Sequence, residues 1–169
     1  MTTISIAWLK KKNACFEAVE KFDRQTETNA ITLIKTMMER EYRLDWANWL
    51  IVRIMTRPQY LQYAIYSAEQ VIGIFEKKYP NDKRPRMAIE AVKKVLKKDT
   101  EKNRAHAANA AYAAHAAANT AAYAAANAAY AAYAAAHAAH AANTAAYAVA
   151  KNKMKIKILK FGIKLLEVN

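Results

Sequence analysis

The chain has 169 residues and a formal net charge of +13, with two glycines, three prolines and one cysteine. That length fits one domain, so few turn formers exclude a turn-rich all-β architecture, and a lone cysteine excludes an intrachain disulfide and fits a reducing compartment. The positive charge calls for an anionic partner (nucleic acid, a nucleotide, an acidic protein or a membrane surface) without choosing among them.

From the N-terminus, Met1 to Leu9 lacks the basic-then-apolar pattern of a signal peptide, so a soluble, cytoplasmic protein is expected. Ile6 to Phe22 reads as one amphipathic helix, with Trp8, Cys15, Val19 and Phe22 on one face and Lys10, Lys11 and Lys12 exposed. On that face Cys15 is an inert buried thiol. Gln25 to Asn29 is a polar turn, and Ala30 to Glu41 a helix with Ile31, Ile34 and Met38 as its apolar row. Asp45 suits the N-cap of the next helix, which buries Trp46, Trp49, Leu50 and Ile54. Thr56 and Gln59 have capping-box spacing, with Pro58 in the first turn, where a missing N–H costs little. That helix runs to about Lys77, and Gly73 within it marks close helix packing. After a turn from Tyr79, Pro85 starts a helix with Ala88, Ile89, Val92 and Leu96 inward. The expected core includes Trp46, Trp49, Leu50, Ile65, Val71, Ile89 and Val92.

Ala105 to Ala150 holds 46 residues, 30 of them Ala, and no formal charge. Its His, Asn and Tyr residues recur at steps of three or four, which places them on one slowly drifting helical stripe. Ala is the strongest helix former. A single rod would be ~69 Å long, against a radius of gyration of ~15 Å for a folded chain of this size. The segment therefore breaks or protrudes. The breaks best suited are Asn119–Thr120 and, at even odds, Asn143–Thr144, within two copies of Ala-Ala-Asn-Thr-Ala-Ala-Tyr-Ala. In the tail, Lys151 to Asn169, lysines alternate with apolar residues, but Met154, Ile158, Phe161 and Leu165 also fit a helix. A peripheral basic helix is expected, with a terminal strand as the alternative. The chain is then an all-α single domain over 1–169, a compact multi-helix bundle. Amphipathic helices fill 1–104, long, closely packed Ala-rich helices 105–150 and a basic segment 151–169.

Three constellations bear on chemistry. Arg84 and Arg86 flank Pro85 at a helix start, where guanidinium groups and free N–H donors suit a phosphate or carboxylate. The alternative is a salt bridge to an acid such as Asp45, Glu69 or Glu90. Tyr112, Tyr123, Tyr130, Tyr133 and Tyr147 either pack into Ala-lined grooves or wall a pocket. In the pocket reading Tyr130 or Tyr133 stacks a base and Asn127 and His137 bond its edge. His137 and His140 have the spacing of a metal pair, but no Asp, Glu or Cys nearby completes a zinc site, so no metal is assigned. No Gly-rich phosphate loop, His–Glu metalloprotease motif or nucleophile elbow occurs. A non-enzyme without cofactors is expected.

Asp-Trp-Ala-Asn-Trp-Leu at Asp45–Leu50, Tyr-Ala-Ile-Tyr-Ser-Ala-Glu-Gln-Val at Tyr63–Val71 and Tyr-Pro-Asn-Asp-Lys-Arg-Pro-Arg at Tyr79–Arg86 follow in order. With the Ala-rich region behind them, over roughly residues 14 to 150, they resemble the Imm-5-like immunity proteins of bacterial conflict systems, which also occur in phages. The resemblance implies a helical protein that neutralises a toxin and carries over no catalytic residue. Relatives commonly have acidic residues where this Ala-rich part has Asn and His, which puts an acidic-site role in doubt.

Three functions follow. The first is a non-catalytic immunity or phage anti-defence protein that binds and sequesters a toxin or effector protein. The second is a sponge for an anionic nucleotide-derived signal, held by Arg84, Arg86, Asn127, Tyr130, Tyr133 and His137. The third is nonspecific nucleic-acid binding through the Lys-rich tail and Lys93 to Arg104. No membrane partner is expected, because the regular Asn and His of the Ala-rich stretch would each need a partner in lipid. Self-association stays open.

Overall fold

The computed structural model describes residues 2–113 and 140–168, the side chains of residues 140–148 excepted. Among the described residues every regular element is an α-helix. In order they are α1 (Ile6–Lys11), α2 (Phe16–Asp23), α3 (Ala30–Glu39), α4 (Leu44–Ile54), α5 (Arg57–Lys78), α6 (Arg84–Lys97), a helical run over residues 101–113 (α7) and α8 (His140–Glu167). The all-α expectation holds. The contacts divide the chain into two compact units, one of Met1–Tyr60 with Asn152–Asn169, the other of Leu61–Lys151.

In the first unit the single helix expected over Ile6 to Phe22 is two. Asn13 adopts left-handed backbone (φ 57°), a conformation Asn tolerates better than most side chains. Asn13 N donates to Lys10 O and Ala14 N to Leu9 O, both at 3.0 Å, and the two bonds close a left-handed C-cap. The reversal leaves Cys15 as the N-cap of α2, and its thiol is exposed, not buried. The end of α3 repeats the device. Glu41 (φ 48°) donates to Met38 O at 3.2 Å and Tyr42 N to Met37 O at 3.0 Å. Asn29 caps the start of α3, its Oδ1 accepting from Ile31 N and Thr32 N. Asp45 is not the N-cap of α4; the cap is Arg43, itself left-handed (φ 51°), and Asp45 lies in the first turn, where a carboxylate complements the helix dipole.

The core of this unit gathers Leu9, Ile34, Leu44, Leu50 and Ile51 with Leu159 and Ile163 of α8. Trp46 and Trp49, expected inside, are only half-buried, because Leu44, Ala47, Leu50 and Ile51 form the inward face of α4. The tail is helical, as expected. Five of its six lysines are exposed while Leu159 is 1% exposed, so its apolar face is core even though its charges face solvent. Gln59 Oε1 accepts from Thr56 N and from the Thr56 hydroxyl, both at 2.9 Å, one arm of the expected capping box. The amide Nε2 then donates to Leu165 O of α8 at 2.6 Å.

In the second unit Tyr63, Ile72, Ile89, Ala91 and Val95 are buried. Burial pushes the Tyr63 phenol well above its ordinary value. Val71 is 44% exposed where the sequence suggested core, and Ile72 takes the place; Ile65 and Val92 are half-buried. The α5 sequence carries apolar side chains all round, so periodicity alone does not select its inner face. Between α6 and α7 the chain turns at residues 98–100. The Thr100 hydroxyl accepts from Asn103 N, and the Asn103 amide donates to Lys98 O at 2.7 Å. Asn143 and Thr144 lie within α8, which runs unbroken through them. Asn119–Thr120 lies outside the described residues.

Gly73 is exposed, and a Cβ built on it meets no atom within 4 Å, so it does not mark a close helix approach. Gly73→Ala is therefore expected to stabilise the protein by about 0.5–1 kcal/mol through helix propensity and a less flexible unfolded chain. Urea unfolding checks this, and a loss of stability would show that space at the site is needed.

Candidate functional site

The two left-handed caps shape a groove in the first unit. The cap after α1 swings the chain back into α2, and the cap after α3 leads through Tyr42 and Arg43 into α4. Between these segments lies a cavity of about 650 Å³ lined by residues from Ile4 to Leu50. Non-glycine residues in left-handed backbone concentrate at functional sites. Those among the described residues are Asn13, Glu41 and Arg43, and Asn13 and Arg43 line this groove.

The groove's chemistry is cationic and aromatic. The Arg43 guanidinium lies 3.7 Å from the Trp46 ring centroid. It donates to both Glu17 oxygens at 3.0 and 3.2 Å and to Asp45 Oδ2 at 3.4 Å. Desolvation opposes its charge, but Asp45 and Glu17 outweigh that and hold it above its ordinary value. Arg43 Nε is buried and has no acceptor among the described residues. Lys21 Nζ donates to the Tyr42 hydroxyl, lies 5.7 Å from the Trp46 ring, and has its charge favoured chiefly by the Tyr42 bond. Trp49 meets Trp8 edge-on at 6.3 Å and carries the Arg53 guanidinium at 3.9 Å. Stacking of cations on rings is attractive through the ring quadrupole. Reading the sequence for core and caps missed this site. Its signal was Arg43 three residues before Trp46, near enough in sequence for a cation to reach the ring.

In the second unit, Arg84 and Arg86 stand in the first turn of α6, as the sequence placed them. Both form salt bridges, the alternative the sequence offered, with acids other than Asp45, Glu69 and Glu90. Arg84 donates to Asp82 through Nε at 2.9 Å and Nη2 at 2.6 Å, and Asp82 Oδ1 also accepts from Arg84 N. Arg86 forks onto Glu76 at 2.9 and 2.6 Å. Glu69 and Glu90 instead share Lys93, at 2.8 and 2.9 Å. Asn127, Tyr130, Tyr133 and His137 lie outside the described residues.

The Arg86 hydrogen bonds hold the Glu76 carboxyl below its ordinary range. A lowered acid stabilises the fold above that range and loses its contribution as pH falls through its folded value. Arg86→Gln is therefore expected to lower stability near neutral pH, and the gap from the parent should narrow in acid as the Glu76 carboxyl becomes protonated in parent and variant alike. Paired urea curves at pH 7 and pH 3 read the difference; a gap that persists unchanged at pH 3 would mean packing and not charge.

Among the described residues no three His, Cys, Asp or Glu side chains come together as a metal site, and no helix is long and apolar enough to cross a membrane. No curated protein and no solved structure matches the chain. A family model described as Imm-5 like putative immunity protein matches residues 51–159. The match takes in Tyr63–Val71 and Tyr79–Arg86 but begins after Asp45–Leu50. It spans more than half of the chain, which therefore belongs to the Imm-5 like putative immunity protein family.

Proposed function

We propose that this protein neutralises a toxic protein by binding it, without catalysing a reaction. Family membership over residues 51–159 carries the reading. Within that stretch Val71 and Ile74, one turn apart on α5, are 44% and 72% exposed, and Lys77 and Lys78 follow in the next turn. Exposed apolar side chains beside cations suit an interface with an acidic partner. The test is co-expression with a toxin encoded by a neighbouring gene. Growth is rescued, a complex co-purifies, and Ile74→Glu, which puts an unpaired acid at the contact, weakens it by roughly tenfold or more. Rescue without any complex would overturn binding as the mechanism.

A second reading is sequestration of an anionic nucleotide-like signal. It is favoured by two part-exposed guanidinium groups in the first turn of α6. A phosphate would have to displace Asp82 or Glu76 from them. Calorimetry against cyclic nucleotides and ADP-ribose derivatives tests it, with Arg84→Ala and Tyr133→Ala each abolishing the heat. A flat titration across the panel rejects it.

A further inference from the structure

Neither reading uses the groove of the first unit, whose lining residues end at Leu50, before the family-matched stretch begins. Its walls combine Leu9, Leu33, Met37 and Leu50 with the indoles of Trp46 and Trp49. Four cations, Lys21, Arg24, Arg40 and Arg43, line it against one carboxylate, Asp45. Three of the four have partners: Arg24 holds Glu20, Lys21 holds Tyr42 and Glu17, and Arg43 holds Glu17 and Asp45. The exposed Arg40 guanidinium has none among the described residues.

This arrangement selects its occupant. A wholly polar anion would leave the apolar walls in water, and a neutral hydrocarbon would leave the Arg40 charge without a counter-ion. The volume, about 650 Å³, falls in the range of small-molecule pockets, roughly 300–1,000 Å³. We propose that the groove binds a free amphipathic anion, a carboxylate on an acyl chain, with its head on Arg40 and its chain along Trp46, Leu33 and Met37. Arg40 supplies a fork that fits a carboxylate bidentately. Trp46 supplies a flat apolar wall that its stacked Arg43 holds in place.

Dodecanoate is the probe, titrated into the full chain below its micelle concentration and followed by tryptophan fluorescence. One saturable site is expected. Dodecan-1-ol, with the same chain and no charge, binds at least tenfold more weakly, and Arg40→Gln weakens dodecanoate by roughly tenfold, the loss of a charge-assisted contact at a part-exposed site. Cys15, the one cysteine of the chain and part of the groove wall, gives an independent readout. Dodecanoate slows its alkylation in the parent protein and does so less in Arg40→Gln. Equal binding of the alcohol, unsaturable uptake, an unchanged Arg40→Gln affinity or an unprotected Cys15 each overturns the proposal. A protein partner that competes with no fatty anion, and whose binding alone protects Cys15, would assign the groove to a protein interface instead.

Discussion

Replacing Gln59 with Glu is expected to cost about 3–4 kcal/mol at neutral pH. Gln59 is 8% exposed, with its Oε1 accepting from Thr56 and its Nε2 donating to Leu165 O at 2.6 Å. A backbone N–H on one side and a carbonyl on the other fix which way the amide faces. A carboxylate keeps the first bond and loses the second, placing a buried negative oxygen against the Leu165 carbonyl. A protonated carboxyl restores the donor. Its folded-state value is thus raised, and the deficit against the parent should shrink as pH falls through that value. Gln59→Ala provides the contrast. It strands the Thr56 N–H and the Leu165 carbonyl, costs about 2–3 kcal/mol, and should show no such pH dependence. Urea curves of parent and both variants at pH 7 and pH 4.5 measure this. A Gln59→Glu deficit independent of pH would remove the Leu165 bond from the account.

Leu159→Ala should have an effect of similar size, about 3–4 kcal/mol. Leu159 is 1% exposed and is among the largest fully buried side chains, with Ile34 and Ile51 of α3 and α4. The truncation loses the transfer free energy of the removed carbons and leaves a cavity that close-packed neighbours only partly fill. Native stability is only ~5–15 kcal/mol, so the change takes a large share of it. Lys153→Ala and Lys157→Ala, exposed on the same helix, should each stay within about 0.5 kcal/mol. A midpoint shift as small for Leu159→Ala would show that the tail is not part of the core.

Several local features were legible in the sequence because they depend on residues one helical turn apart. Thr56 and Gln59 meet as their spacing suggests, Asn29 caps α3 at the end of a polar turn, and Arg84 and Arg86 open α6 beside Pro85. The all-helical class followed from composition and Ala content alone. Asp82, two residues before Arg84, is a local partner of the same kind.

What the sequence left open was decided by the chain meeting itself. The α5 sequence is apolar around its circumference, so only tertiary packing chose Ile72 over Val71. Lysine spacing in the tail fits a strand or a helix, and burial of Leu159 and Ile163, four residues apart, selects the helix. Arg86 chose Glu76, ten residues back across the turn, over Glu69 and Glu90. Cys15 came to the surface and Trp46 to a groove wall because Asn13, Glu41 and Arg43 take left-handed backbone that reverses the chain. A left-handed residue other than glycine is held by its surroundings against its own preference. Propensity therefore marked where the chain is helical but not where it breaks between α1 and α2, and the packing of α1 on α2 and of α3 on α4 made the groove between them.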